Sequence, residues 1–202
     1  MTAINNKTDL NSISIKIMDN LYLIANAVDF SMYSRYLDKN INNEQDKVNF
    51  FKELIQPLKS YYDFIFIDVP PTISLANDTA FNACDQIIVV LQTQERSLSG
   101  AEVLLKYLQT TLIDEFNSNV DVMGILPVLS KRDAAVDEEV LHSAIQEFGE
   151  DNVFKNKIML MERIKRMDMT GITDNPRDAW DKKVHSSFDG VADEILERLD
   201  DK

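Results

Sequence analysis

An α/β domain built on a mostly parallel sheet, with helices on both faces, is the fold class this sequence predicts. Three observations carry the prediction. Short apolar runs alternate along the chain with longer stretches whose apolar residues return every three or four positions. The short runs are hydrophobic at nearly every residue, as in strands covered on both sides. No repeat or low-complexity linker breaks the alternation, so residues 1–202 are expected to form one domain.

The elements follow in order. Residues 1–12 are polar and read as a mobile leader. Leu21 to Ala25 reads as a short strand. Asn43 to Ser60 reads as a helix that faces inward through Val48, Phe51, Leu54, Ile55 and Leu58. Tyr62 to Asp68 (YDFIFID) and Gln86 to Leu91 (QIIVVL) are strongly apolar strands. Ser97 to Phe116 is a long helix, with Ser99 and Glu102 at capping-box spacing near its start. Val120 to Leu126 is a further buried strand. Asp133 to Phe148 is a helix closed by Gly149. Val153 to Ile158 reads as one more strand. Asn175 and Pro176 start the last helix, whose stripe is Trp180, Val184, Phe188, Val191, Ile195 and Leu199.

Composition narrows the function classes. The net charge of -13 argues against a protein wholly devoted to gripping nucleic acid, without excluding a local basic patch. The single cysteine, Cys84, fits a reducing, cytoplasmic setting and reads as a small core residue. No apolar run approaches the ~20 residues of a membrane helix, so no membrane partner is expected. His142 and His185 lack the neighbours of a zinc site.

Ligands of parallel α/β sheets sit at the carboxyl ends of the strands, here after Asp68, Leu91, Leu126 and Ile158. Asp68 ends an apolar strand and is followed at once by Pro70 and Pro71. A carboxylate there needs a cation or hydrogen-bond donors opposite it. Magnesium beside nucleotide phosphates meets that need. So does capping of the next helix, or a lysine partner, and the pattern leaves these open.

The segment YDFIFIDVPPTISLANDTAF resembles the second acidic motif of the ParA/MinD family of partition ATPases. The resemblance continues in order through QIIVVLQTQERSLSGAEVLLKYL, VMGILPVLSKRDAAVDEEVL and the segment from Met161 to Leu199, covering about residues 13 to 200. It implies a nucleotide-hydrolase fold that uses ATP and magnesium. Asp68 would hold magnesium and act in catalysis, and Pro70 and Pro71 would form a switch turn. Ser130, Lys131, Arg132 and Asp133 would lie near the base or ribose. Arg163, Lys165, Arg166, Lys182 and Lys183 would contact DNA without sequence preference. The implied partners are a centromere-binding partition protein, DNA and a second copy of the chain.

One departure is plain. The five glycines, Gly100, Gly124, Gly149, Gly171 and Gly190, are scattered, and no G-x-x-x-x-G-K-[ST] loop occurs. That loop supplies backbone N–H groups and lysines to phosphates, each charge-assisted contact giving roughly 1.5–3 kcal/mol. The expectation is a partition ATPase represented without its phosphate loop and first strands. It would bind nucleotide weakly or not at all and not hydrolyse it alone. A non-enzymatic interaction module is the alternative. An unpaired sheet edge inviting self-association is expected as well.

Overall fold

The computed structural model describes residues 1–26, 28–70, 72–130, 134–173, 175 and 177–200. They fall into two compact units, residues 1–85 with 107–120, and residues 86–106 with 121–202.

The first unit opens with a one-turn helix, α1 (Thr2–Asn5), which places Ile4 in an apolar cluster with Tyr33 and Leu37. Residues 1–12, expected as a leader, thus contain a helical turn with a buried side chain. Asp9 then caps a 3-10 turn, Leu10–Ile13, by accepting from the Asn11 N–H. Strands β1 (Ile15–Met18) and β2 (Leu21–Leu23) pair antiparallel. The turn between them holds Asn20 at φ 63°, a left-handed conformation asparagine tolerates. The strand expected from Leu21 is therefore the second arm of a hairpin.

Two helices follow, α2 (Tyr33–Asn40) and α3 (Glu44–Ile55). The Asn43 side chain caps α3 by accepting from the Asp46 N–H at 3.0 Å. Val48 and Ile55 of α3 are buried, with Leu58 of the 3-10 turn beyond it. Helix α4 (Leu75–Ala83) is capped by Ser74. The Asn82 side chain fastens α4 to α3 by donating to the Val48 carbonyl at 3.2 Å and to Asn49 Oδ1 at 3.0 Å.

The stretch Tyr62 to Asp68, expected as a strand, carries no ladder. Its side chains still alternate. Ile65 and Ile67 pack against Ile55, Leu58 and Ala83, while Phe64 and Phe66 stand exposed. The pattern is a strand's, but among the described residues no neighbouring strand bonds to it.

The second unit holds a three-stranded parallel sheet in the order β3 (Gln86–Gln92), β4 (Asp121–Ser130), β5 (Ile158–Met159). Val89 lies opposite Ile125, and Val128 opposite Ile158. Helix α5 (Glu95–Tyr107) follows β3 and continues as a π turn, Leu108–Ile113, whose residues belong to the first unit. It begins before Ser97, so Ser99 and Glu102 lie inside it instead of capping it. Helix α6 (Ala135–Phe148) follows β4 and ends at Gly149, φ 89°, as the glycine predicted. Helices α7 (Glu162–Thr170) and α8 (Ala179–Asp200) complete the unit.

Strand β4 is bulged at Met123: Ile87 faces Val122, whereas Ile88 faces Gly124. Gly124 has φ 155°, and a Cβ there would stand 2.9 Å from the Asn152 carbonyl oxygen. Only glycine fits both constraints. Arg198 of α8 reaches the same place, donating to the carbonyls of Met123, Asp151 and Val153 at 3.2, 2.7 and 3.0 Å.

Helix α8 buries Asp181, Val184, Val191 and Glu194. Trp180 (64% exposed) and Phe188 of the expected stripe face outward. Val184 and Val191 of the expected stripe do face inward, and the other two buried members were not expected because they are carboxylates. Each is held by donors that offset the cost of burial.

Candidate functional site

Asp68 lies in the first unit with its side chain exposed. Among the described residues, no hydrogen bond or salt bridge of its carboxylate is found. The loop after it is fastened by Asn77, a buried residue in the first turn of α4. The Asn77 side-chain nitrogen donates to the Pro70 carbonyl at 2.7 Å and to the Thr72 carbonyl. Ser74 Oγ accepts from the Asn77 N–H at 3.3 Å. Asn77 thus spans the turn and ties both of its ends to a helix start. The helix cap belongs to Ser74, not to Asp68. Pro71 lies outside the described residues.

Asp78, next along α4, is buried and accepts from the Tyr107 hydroxyl at 2.8 Å. Burial raises the Asp78 pKa, against the opposing hydrogen bond from Tyr107. Burial and the facing carboxylate together push the Tyr107 hydroxyl up. Tyr33, pushed up to about 12 by burial, meets Thr79 of the same helix at 3.2 Å.

In the second unit, the carboxyl end of β4 is irregular. Pro127 removes a ladder donor, and Leu129 adopts φ 57°. Ser130, 3% exposed, is the one buried side-chain oxygen among the described residues without a hydrogen-bond partner. A left-handed leucine thus stands beside an orphan hydroxyl at the carboxyl end of a parallel strand. Lys131, Arg132 and Asp133, the other residues of that predicted group, lie outside the described residues.

The predicted DNA contacts also lie in this unit. Arg163, Lys165 and Arg166 are on α7, and Lys182 and Lys183 on α8. Arg163 is already engaged. Its Nε donates to Asp181 at 2.5 Å and its Nη2 to Thr173 at 3.0 Å, with Asp178 3.5 Å away. Asp181, 0% exposed, also accepts from Thr173 Oγ1 and the Asn175 N–H. The Arg163 bond, against burial and helped by the other donors, lowers the Asp181 pKa to about 2. Lys165 pairs with Glu162 on an exposed face, and Lys183 sits 5.8 Å from the Trp180 ring.

Magnesium often takes only one or two protein carboxylates, the phosphates supplying the rest. Asp68 fits one such ligand. Among the described residues no cluster of three or more metal-ligating side chains forms, so no all-protein cage is present. No residue group described here fits the phosphate cradle. Sequence reading missed Asp78, took Asn77 only as the end of the stretch that continues the turn after the prolines, and took Asp181 only as one of the acids balancing the basic cluster. Of these only Asn77 had a signal, the serine three positions before it at a helix start.

Three comparisons bear on this arrangement. The model of the AAA domain family matches residues 1–122. The chromosome-partitioning ATPase Soj of Treponema pallidum is 25% identical over 179 residues, 89% of this chain and 68% of that protein. The chain spans 54% of the next curated relatives. Among solved structures, apo McdA of Cyanothece superposes with TM-score 0.78 at 17% identity, over 95% of this chain and 75% of that one. The cell division ATPase MinD of Pyrococcus furiosus gives TM-score 0.66 at 17% identity, over 96% and 74%. These two show the fold, and with the family match they place this chain in the AAA domain family, as a member of its ParA/MinD group of partition ATPases.

Proposed function

We propose that the first unit of the chain carries the switch part of a partition ATPase site, and that the chain does not hydrolyse ATP by itself. The observation that carries this is Asp68, an exposed carboxylate without a cation partner among the described residues, at the head of a loop that Asn77 holds in place. In this reading Asp68 holds a magnesium ion bound to nucleotide phosphates. The ion would supply charge stabilisation at the terminal phosphate. Asn77 keeps the turn after Asp68 at a constant distance from α4, so that its direction is set before ligand arrives. In the second unit, taken by itself, the buried Ser130 hydroxyl is suited to meet a polar atom of a base or ribose. The phosphate cradle has no counterpart in the sequence, which is why turnover is not expected from this chain alone. DNA contact through Lys165, Arg166, Lys182 and Lys183, a second copy and a centromere-binding protein complete the reading.

Fluorescent ATP titration with and without magnesium tests it. The expected result is affinity no tighter than about millimolar, strengthened by magnesium in the native chain and indifferent to magnesium in Asp68→Ala. Micromolar affinity, or steady turnover by the purified chain, would sink the proposal. The second reading, a module that acts only by binding other proteins, is favoured by the exposed β1–β2 hairpin, all seven of whose residues face solvent.

A further inference from the structure

Asp78 carries a cost that packing alone does not explain. It sits in the first turn of α4, 8% exposed, next to the residue that holds the loop after Asp68. No cation among the described residues pairs with it. Its donor is a neutral phenol, the Tyr107 hydroxyl at 2.8 Å. A buried carboxylate with one neutral donor is less favourable there than an apolar side chain.

Direction is what such a bond adds. Apolar attraction sets how closely two helices lie, and only interlocking side chains or polar bonds fix how one is turned about its axis. The apolar residues of α4 are Leu75, Phe81 and the alanines Ala76, Ala80 and Ala83, and alanines offer a neighbour little to interlock with. Polar bonds make up for this along the helix. Asn82 bonds α3 near its end, Thr79 meets Tyr33 of α2 in its middle, and Asp78 meets Tyr107 in its first turn. Only the last stands beside Asn77. Tyr107 is itself held, since the Thr111 side chain of the π turn bonds the same phenolic oxygen. All these residues belong to the first unit. Asn77 can bridge the Pro70 and Thr72 carbonyls only while the first turn keeps its place and rotation.

We propose that Tyr107 is a positioning residue for the loop after Asp68, acting through the Asp78 carboxylate on the helical turn that carries Asn77. Its bearing on nucleotide rests on the magnesium reading above, whereas the mechanical link does not.

Amide exchange and urea unfolding of the full chain test the link together. Tyr107→Phe leaves Asp78 buried without this donor. It should lower the urea midpoint and speed exchange at Thr72 about fivefold or more, the effect of one lost hydrogen bond on a local opening. Asp78→Asn keeps an acceptor for the phenol and should hold Thr72 near its native rate. The double variant Tyr107→Phe with Asp78→Leu buries no unpaired carboxylate, so its urea midpoint should return to the native value or pass it. Exchange at Thr72 should stay fast nonetheless, because the first turn still lacks its directional bond. Slow exchange that returns along with stability would make the pair a structural contact only and overturn the proposal. Native exchange at Thr72 in Tyr107→Phe would overturn it as well. Fluorescent ATP with and without magnesium separates this proposal from the reading beneath it. Tyr107→Phe should weaken the response to magnesium. A full response in that variant overturns the positioning role and leaves the magnesium reading standing. A native chain indifferent to magnesium sinks the magnesium reading and leaves exchange at Thr72 to decide the positioning role.

Discussion

Asp181 shows how one carboxylate can organise a region. It sits wholly buried on α8, yet Arg163, Thr173 and the Asn175 N–H all donate to it. Its folded pKa of about 2 lies below the ~3.9 of an unfolded aspartate. The unfolded chain therefore takes up this proton first as pH falls. The stabilisation is full above about pH 4 and is lost as pH drops toward 2. Asp181→Asn removes it at every pH. Urea midpoints measured between pH 5 and pH 2 should converge for the native chain and the variant as acidity rises. Parallel curves would show that the carboxylate is not held as described. Glu194 is held in a related way: burial works to raise its pKa, and bonds from Asn156, Lys155 and Arg198 more than reverse that. Neither carboxylate could be placed from sequence, because a charged residue in a helix reads as solvent-facing until its donors are known.

Elements were legible where periodicity alone decides them. Helix α3, strand β3 and the stop at Gly149 lie where spacing and caps put them. Elements whose existence depends on a distant partner were not. The apolar run at 62–68 predicts a strand, but pairing is a property of two segments, and one segment's sequence describes only half of it. The hairpin β1–β2 was half seen, since its first arm is only four residues long and gives a weak signal by itself. The loop after Asp68 stands between these cases. Asp68 and Pro70 stand out in the sequence, whereas the residue that pins the Pro70 and Thr72 carbonyls does not, because no sequence pattern marks those carbonyls. Asn77→Ala removes both bonds and leaves those carbonyls without this donor. It should cost about 1–3 kcal/mol. Amide exchange at Thr72, whose N–H bonds the Pro70 carbonyl at 2.8 Å, should speed up, while exchange in β3 and β4 stays unchanged. Asn77→Asp, of equal size but without the donor, should behave like the alanine variant. Native exchange in both would show that the side chain does not hold the loop.

At the scale of the whole molecule, the parallel sheet and helices match the fold that alternation predicts, and the comparisons agree with the family that the ordered motifs resemble. The division into two compact units was not legible, because the chain crosses between them three times, at 85/86, 106/107 and 120/121, and none of the crossings carries a linker signal. The overall charge of -13 also matters at this scale. Any grip on DNA must work against it, through the cations of α7 and α8 that lack a buried partner. If Lys165, Arg166, Lys182 and Lys183 each meet a phosphate, a plot of log affinity against log salt should slope at roughly -3.5, about -0.9 per contact. Lys182→Ala with Lys183→Ala should then flatten that slope by roughly half, and an unchanged slope would place the contact elsewhere. The reach of Arg198 has a practical corollary for anyone shortening the chain. Its guanidinium also bonds Glu194, so a single side chain near the far terminus gathers three carbonyls and a carboxylate. Clipping the final helical turn would leave the bulge at Gly124 without its staple, and a tidy trim of the tail would loosen the middle of the sheet.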